Sequence, residues 1–538
     1  MDTLVQYYRK TELFFGNVKF AVVIITIFAI ALGFGTFMES YHGTDYANRL
    51  VYKSIPFMFV QFLMFLSIVF ATLIRLPAKK HLYGFYVIHA GLIILFLGSF
   101  VTYKAGVDGT ITLSPNLPNR EILVNEDEFK IQFPSRGKEV TVDLPYTAFK
   151  KDLRLDYEGI QLGAFLPFAE DELHWIPMQQ KDAAQTSARY RIYNDNFGDF
   201  VTMSLHSQSD FSNTTQMGLL NVHYMPGSLG ECFAQNTEDG LIVWNGETGG
   251  CVAPQKKDII RKKSITGKNL AIIDFQGQKI SFMPDLSPMP LDEKMDLNQA
   301  SPFRVFSRKL FEKSPHLFLF GKRIAFFDKE KAQWISESFD NKEELDLPWM
   351  GFRLRLVEYH DDKYPSMVPS FVKPVQDNGQ TIKGGIRAIQ VKIKDHEFWV
   401  KSDEPVNFNH DGEKITFILG KKAITLPYEL VLDQFKMDTD PGTQNPASFE
   451  SYVTLFKGDQ GSTRHHIFMN NPLKHENFTF YQASYFQTQQ GPFGSVLSVN
   501  FDPGRFWKYL GSFLLVFGSA WHYFLRRKHL KKPGAQNA

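Results

Sequence analysis

The stretch Tyr83–Tyr103, YGFYVIHAGLIILFLGSFVTY, contains no Asp, Glu, Lys or Arg. About twenty residues at a rise of ~1.5 Å each are enough to cross a ~30 Å hydrocarbon core, so the stretch predicts a membrane-spanning helix. It carries one histidine, His89. An ionisable side chain is costly in lipid and usually faces a partner, a cavity or a cofactor. Two interpretations fit His89: a hydrogen bond to a neighbouring helix, or a neutral imidazole that binds iron as in haem proteins.

Three more stretches are apolar enough to be expected as spans. Together with the first they are Phe20–Met38, Ile55–Leu73, Tyr83–Tyr103 and Phe506–Leu525. The apolar run of Phe20–Met38 is longer than a typical signal-peptide core and no convincing A-x-A site follows it, so we interpret it as a retained anchor. The sequence therefore predicts three N-terminal membrane helices and one C-terminal membrane helix.

Basic residues beside the spans predict the orientation. They cluster before the first span (Arg9, Lys10, Lys19), between the second and third (Arg75, Lys79, Lys80), and after the fourth (Arg526, Arg527, Lys528, Lys531, Lys532). Four crossings put all three clusters on one side, which the positive-inside rule makes the cytoplasm. Both termini are then cytoplasmic, and the roughly 400 residues from Lys104 to Gly504 lie outside.

This topology puts His89 in the cytoplasmic half of its span and His522 at a similar depth in the fourth. Two imidazoles at one depth suit one iron. The alternative for His522 is an interfacial histidine beside Trp521 and Tyr523 in an aromatic belt, and we favour this alternative.

The external region has the pattern of a β protein. Short runs such as VTMSLHS, GFRLRLVEYH and RAIQVKIKDHEFWVK alternate with period two, and turns are expected at Asp108-Gly109, Asn245-Gly246, Asp411-Gly412 and Pro441-Gly442. We expect a large all-β extracytoplasmic domain. The four expected parts are a three-helix membrane region with a short outer loop (1–103), a first β region (104–340), a second β region (341–504), and a C-terminal membrane helix with a basic tail (505–538).

Composition excludes some functions. Lys+Arg 59 against Asp+Glu 57 gives no reason to expect a nucleic-acid partner. The two cysteines, Cys232 and Cys251, do not form a Cys-x-x-Cys motif, which argues against a thioredoxin-like reductase and against covalent haem on this chain. Both lie in the external region, where we favour a structural disulfide over redox chemistry.

Three motifs precede the fourth span. They are Asn470-Asn471-Pro472-Leu473, Phe480-Tyr481-Gln482-Ala483-Ser484-Tyr485 and Asp502-Pro503-Gly504. Near the front, GTFMESYHGTDYANRLVYKSIPF starts at Gly35, and the third span contains His89-Ala90-Gly91-Leu92. In this order around four spans, the motifs resemble the ResB/CcsB family of cytochrome c biogenesis proteins. The likeness covers both ends of the chain and is weak over 120–340. We interpret the three late motifs as structural, because FTFYQASYF alternates as a strand with one buried face.

The resemblance implies a membrane subunit of the system II cytochrome c maturation complex, which delivers haem b outward for covalent attachment to apocytochrome c. It places the family's transmembrane haem histidine on His89, as an axial ligand of the haem iron, with the second ligand from a partner chain or from His522. The family's partner is a CcsA-type membrane protein with a Trp-rich haem-handling segment. The seven Trp of this chain are scattered, so the chain resembles the ResB/CcsB half alone. Apocytochrome c, membrane lipid and a thioredoxin-like thiol reductant are the other expected partners. The expected location is the bacterial inner membrane, with the large domain in the periplasm.

The sequence shows no Ser/His/Asp, paired-carboxylate or metal-cluster pattern suited to hydrolysis, so a non-catalytic subunit of a cytochrome c synthase (haem lyase) is expected. His465 and His466 are not expected to bind one metal together, because neighbouring strand residues point to opposite faces. The competing hypothesis is a membrane-anchored scaffold whose external β domain binds partner proteins without contacting haem. A transporter ranks last, since four spans without an evident inverted repeat are few for one.

Overall fold

The computed structural model describes residues 2–530 apart from 179–184, 236–239, 246–248, 264–266, 268, 276, 283–302, 378–379, 411, 441, 443–445, 459–460 and 489–490. Its α-helices are α1 (Asp2–Phe15), α2 (Val18–Ala47), α3 (Ile55–Leu73), α4 (Tyr83–Ala105), α5 (Leu229–Ala234) and α6 (Arg505–Leu530). A π-helical turn, Asn48–Tyr52, extends α2. Side-chain caps start two membrane helices: Asn17 accepts from the Lys19 amide and Ser54 from the Phe57 amide.

Among the described residues, three helices are long and apolar enough to cross a membrane: Val18–Tyr52, Ile55–Leu73 and Lys80–Ala105. They confirm the first three predicted spans. The predicted fourth span, Phe506–Leu525, forms part of α6, but α6 is not apolar enough to be counted as a membrane-spanning helix. Lys508, His522 and several Trp, Tyr and Ser residues interrupt its aliphatic side chains and lower its mean hydropathy. Composition therefore does not support a fourth membrane helix. Residues 531–538 of the basic tail lie outside the described part of the chain.

The rest of the described chain is rich in strands. These are β1 (Val107–Leu113), β2 (Pro118–Phe133), β3 (Lys138–Asp143), β4 (Lys151–Tyr157), β5 (Ile160–Pro177), β6 (Ser187–Tyr193), β7 (Gly198–Ser204), β8 (Thr214–Met217), β9 (Leu220–Tyr224), β10 (Leu241–Asn245), β11 (Cys251–Val252), β12 (Ile260–Lys263), β13 (Asn269–Phe275), β14 (Gln278–Phe282), β15 (Phe303–Ser307), β16 (His316–Phe320), β17 (Arg323–Asp328), β18 (Gln333–Ser338), β19 (Leu345–Asp346), β20 (Arg353–His360), β21 (Lys363–Phe371), β22 (Val375–Asp377), β23 (Gln380–Lys383), β24 (Ile386–Ile393), β25 (His396–Lys401), β26 (Val406–His410), β27 (Glu413–Thr439), β28 (Pro446–Phe456), β29 (Ser462–Phe468), β30 (Leu473–His475), β31 (Phe478–Gln487) and β32 (Phe493–Phe501).

The chain divides into two compact units. The first is Met1–Glu170 with Pro369–Ala538, and the second is Asp171–Val368. The chain passes from one unit to the other within β5 and returns within β21. The boundary expected at residue 340 lies inside the second unit, and the four-part division remains a prediction.

A ten-stranded sheet dominates the first unit. Its strands follow the order β29, β28, β27, β2, β1, β32, β31, β30, with β26 beside β27 and β3 beside β2. Alternate residues of these strands bury a core that includes Ile111, Leu430, Val453 and Leu497, each fully buried. Helix α4 leads into β1, β32 leads into α6, and Val107 pairs with Phe501. The sheet therefore brings the ends of α4 and α6 side by side.

One expected turn is a strand instead. Asp108-Gly109 lies inside β1, because β1 comes so close to β2 that a Cβ on Gly109 would lie 2.5 Å from the Leu123 carbonyl oxygen. Glycine here serves close strand approach rather than a turn. The other three expected turn pairs lie partly outside the described residues.

The second unit holds its own sheets and core. One sheet has the order β18, β17, β16, β9, β8 and another β19, β20, β6, β7. Their shared core includes Tyr190, Tyr224, Leu317 and Leu354, all fully buried. Cys232 of α5 and Cys251 of β11 form a disulfide. This confirms the expected disulfide, which links the two short elements α5 and β11.

Candidate functional site

His89 lies in the first two turns of α4. Its Nδ1 is 3.0 Å from the carbonyl oxygen of Phe85, one turn earlier. A carbonyl oxygen only accepts, so Nδ1 donates and Nε2 carries the lone pair. The imidazole also packs on the Phe85 ring, with centroids 3.8 Å apart. The helix thus holds His89 in the tautomer that binds a metal through Nε2.

Arg75 brings a positive charge to the same place. It follows α3, and its guanidinium carbon lies 4.9 Å from the centroid of the Phe85 ring. One Arg75 N–H donates to the Ala71 carbonyl oxygen at 2.7 Å, and the Tyr86 hydroxyl donates to the Arg75 carbonyl oxygen. Imidazole can bind an iron and guanidinium a carboxylate, so His89 and Arg75 fit the iron and a propionate of a haem. Among the described residues no three His, Cys, Asp or Glu side chains group as a metal site.

His522 does not join this arrangement. Its backbone and Cβ lie against Gly84, where an added Cβ would be 2.5 Å from the His522 Cβ. At about 100° per residue, His89 projects about 140° around α4 from Gly84. The two histidines occupy opposite sides of the helix, and the structure does not bring them to one point. The Nδ1 of His522 is buried without a hydrogen-bond partner in the described structure.

Glycines spaced by seven residues join α4 to the C-terminal helix. Gly91 faces Gly511 and Gly98 faces Gly504, in antiparallel order. Gly84 lies against His522, and Gly518 lies against Val87 and Ile88. An added Cβ would lie 2.7 Å from the Gly511 carbonyl oxygen at Gly91, and 2.6 Å from the Gly91 carbonyl oxygen at Gly511. Small residues let membrane helices approach this closely. The sequence analysis missed the ladder, although its seven-residue spacing is visible in both segments.

The Asp502-Pro503-Gly504 motif connects the ends of these two helices where they meet the sheet. Asp502 accepts from the Thr102 hydroxyl at 2.6 Å and from the Gly504 amide at 3.1 Å, and it pairs with Lys508 at 2.6 Å. Burial alone would raise the pKa of Asp502, but the hydrogen bonds from Lys508 and Thr102 lower it. The motif therefore joins β32, α4 and α6 at one carboxylate.

A buried ion network surrounds Arg49, in the π-helical turn that follows α2. One Arg49 nitrogen lies 2.7 Å from Asp127 of β2, and another lies 3.0 Å from Asp45. Arg387 of β24 lies 3.0 Å from the second oxygen of Asp127. The side chains of Arg49 and Asp127 are each 1% exposed. This network ties the outer end of α2 to two sheets of the first unit.

Gln482 of the FYQASY motif holds strands together. It accepts from the Ser451 hydroxyl at 2.6 Å, and its amide donates to Ser495 at 3.2 Å. Both serines are fully buried. These contacts agree with a structural role for the motif.

His465 and His466 point to opposite faces of β29. The His465 ring bonds to Thr463, while His466 bonds to Glu450 and stacks on Tyr452 at 4.3 Å. The described structure therefore does not place them for joint ligation.

The second unit contains a histidine pair that the sequence analysis did not single out. His223 Nε2 and His316 Nδ1 are 2.9 Å apart, and Ser314 bonds the other nitrogen of His316. Burial lowers the pKa of both rings, and the nearby His316 lowers the pKa of His223 further. The pair is therefore neutral in the folded protein at pH values where the unfolded chain begins to take up protons.

We expect acid to loosen β9 and β16. Because both histidines have a lowered pKa in the folded state, they contribute to folding stability above the ordinary histidine pKa of ~6.5. This contribution is lost as the pH falls through the lowered folded-state pKa. Hydrogen exchange of the β9 and β16 amides, corrected for intrinsic rates, should accelerate below ~pH 6.5, and His223→Gln should weaken that acid response. His396→Gln, at an exposed position of β25, is the control. An equal acid response in both variants would contradict the role of the pair.

Comparison with known proteins identifies one segment. Residues 399–494 match the ResB-like family. This match covers the region from β25 to β32, including the Asn-Asn-Pro-Leu and FYQASY motifs. The chain is also 34% identical over 113 residues to "Protein NrfI" of Wolinella succinogenes, an alignment that covers 21% of this chain and 12% of NrfI. NrfI is therefore the longer protein, and most of its length has no counterpart in the alignment. The chain is therefore similar to the ResB-like family over the segment from β25 to β32.

Proposed function

We propose that this chain is a membrane subunit in cytochrome c biogenesis that binds haem b at His89 and helps deliver it outward to apocytochrome c. The match of residues 399–494 to the ResB-like family and the similarity to NrfI support the general role. The observation that carries the haem assignment is His89 itself: its Nδ1 is held by the Phe85 carbonyl oxygen, and Arg75 stands over the same phenyl ring. The haem would supply the iron porphyrin that is delivered, and the chain would hold and orient it.

The roles of the side chains follow from their chemistry. His89 would offer Nε2 to the iron as one axial ligand. Phe85 would support the imidazole, and the Arg75 guanidinium would pair with a haem propionate. A neutral imidazole binds iron without a permanent charge, which keeps the haem transferable to the next site.

The second axial ligand would come from a partner chain. His522 lies on the other side of α4, so it is poorly placed to share an iron with His89. We propose a CcsA-type membrane protein with a Trp-rich segment as that partner, with apocytochrome c and a thioredoxin-like reductant acting at the outer face.

We further propose that α6 crosses the membrane beside α4, despite its lower hydropathy. The C-terminal segment contacts α4 from Gly98, beside Gly504 and Trp507, to Gly84, beside His522, which spans ~21 Å of helix. A helix packed along a membrane span over that distance shares its depth, and Lys508 is neutralised by Asp502 at the outer end. Four crossings put the basic clusters in the cytoplasm of a bacterial inner membrane and the β strands in the periplasm.

His89→Ala tests the haem assignment. In membranes that contain this chain and its partner, the variant should lower the haem Soret absorbance per chain about tenfold, because the axial nitrogen is lost. His81→Ala, an exposed histidine just before α4, is the matched control and should keep the haem. Haem retained in His89→Ala would remove His89 from its role. If c-type cytochromes still required the chain in that case, the scaffold hypothesis would be favoured.

A further inference from the structure

A partly open cavity that His89 does not line lies along the membrane helices. Its volume is about 930 Å³, and it lies among α2, α3 and α4 with Lys508 of α6 at its edge. Small-molecule sites usually measure ~300–1,000 Å³, so the cavity is large enough for a sizeable ligand. It is therefore a candidate site separate from the His89 imidazole.

The cavity lies outward of His89 along the same helix. Its α4 lining runs from Leu95 to Tyr103, beginning six residues after His89. At ~1.5 Å per residue, it starts ~9 Å beyond His89 and ends ~21 Å beyond it. This is the direction of β1, which follows α4 on the side of the β strands. A ligand that leaves His89 for that side would meet this cavity next.

The lining favours a flat apolar molecule. Phenylalanines contribute from all three helices, with Phe28 on α2, Phe62 and Phe65 on α3, and Phe96 and Phe100 on α4. Met58 and Met64 add thioethers, which pack well on aromatic faces. Aromatic walls and methionine sulfurs suit an extended π system better than they suit a polar solute.

Three polar side chains, Thr102, Tyr103 and Lys508, line the outer end of the cavity, while Ser99 and Gln61 line it farther in. Lys508 pairs with Asp502 at 2.6 Å, but an ammonium group has three N–H donors, so donors remain for a second anion. The cavity thus combines an apolar body with a cation at one end, which matches a flat apolar molecule that carries carboxylates on one edge.

We propose that this cavity is a second haem station, which receives the porphyrin from His89 and holds its propionates near Lys508. This inference rests on the proposed function. Movement between the stations would break the iron's bonds to the His89 nitrogen and to the partner's ligand, with each lone pair staying on its ligand, and would leave the oxidation state of the iron unchanged. The cavity then holds the porphyrin by ring packing and by the charge of Lys508.

Filling the cavity tests the proposal. Ser99→Trp places an indole among the lining residues, while Ser519→Trp puts the same side chain on an exposed α6 position outside the lining. With the partner and an apocytochrome co-expressed, Ser99→Trp should keep the His89-dependent Soret absorbance but lower covalent c-type haem about tenfold. Ser519→Trp should change neither. If the two variants gave equal amounts of c-type haem, the second station would be overturned. If the chain without either tryptophan showed no His89-dependent haem, the proposed function would be overturned instead.

A binding measurement covers the case in which Ser99→Trp impairs assembly. Haemin is titrated into the purified full-length His89→Ala chain in detergent, with either serine replacement added. We expect saturable Soret changes in the chain with Ser519→Trp and at least about tenfold weaker binding in the chain with Ser99→Trp. Identical curves would mean that the cavity holds lipid chains only, and would overturn the proposal.

Discussion

Replacing Gly91 by leucine should separate α6 from α4. The position has no room for a side chain, since an added Cβ would lie 2.7 Å from the Gly511 carbonyl oxygen and 3.0 Å from the Leu514 Cβ. Neither the carbonyl oxygen nor a Cβ can rotate away, so the helices themselves must move apart. We expect a loss of about 3 kcal/mol, the upper end of the usual cost of overpacking. The purified protein should unfold at a lower temperature, and protease should cut α6 faster.

Gly33→Leu is the matched control for this experiment. Gly33 also lies in a membrane helix, but nothing is found within 4 Å of its added Cβ. It therefore tests the effect of a leucine in place of glycine without a collision. If Gly91→Leu and Gly33→Leu gave the same unfolding temperature and the same cleavage of α6, the glycine ladder would not be what holds α6.

Local sequence patterns were enough to predict much of this fold. Apolar length identified the first three membrane helices, and alternation identified the β character of the external part. His89 could be singled out because one histidine in a charge-free stretch needs an explanation whatever surrounds it. The disulfide followed from two cysteines in one external region, and the structural role of Gln482 followed from the alternation of its strand.

Long-range pairing limited what else could be predicted. The glycines of α4 and α6 are visible as seven-residue repeats, but only the fold shows that segments about 400 residues apart pack together. Asp108-Gly109 has the composition of a turn and lies in a strand because β2 comes close to it. The second unit begins and ends within strands β5 and β21, so no change in composition marks its boundaries.

For α6, hydropathy and packing give different indications. The helix is too polar to meet the hydropathy criterion for a membrane span, yet its contacts with α4 extend over ~21 Å, from Gly98 to Gly84. Part of its polarity has a structural purpose: Lys508 pairs with Asp502, and Arg505 donates to Asn500 and Thr479 at the end of the sheet. These contacts place the basic side chains where the helix leaves the sheet.

The ion network at Arg49 could not be predicted from sequence, because its members lie far apart in the chain. Asp127 stands between Arg49 and Arg387, and its side chain is 1% exposed. Asp127→Ala would leave two guanidinium groups facing each other without the shared carboxylate. Breaking a buried ion pair by removing one partner costs about 3–5 kcal/mol, so we expect a loss of that size in the free energy of unfolding. Denaturant unfolding of the purified full-length chain measures it.

Two further variants test whether the stability loss in Asp127→Ala comes from removing a carboxylate as such or from leaving buried charges unpaired. Asp143→Ala removes a carboxylate from β3 that is 72% exposed and pairs with Lys422 at 2.9 Å, so it should cost less than about 1 kcal/mol. The double replacement Arg49→Met with Asp127→Leu removes both buried charges and should recover part of the stability lost in Asp127→Ala, because apolar side chains can replace a buried ion pair. A loss in Asp127→Ala no larger than that in Asp143→Ala would show that the network does not hold α2 to the sheets. A large loss would instead mean that the buried carboxylate of Asp127 holds the end of α2 to the strands of the first unit.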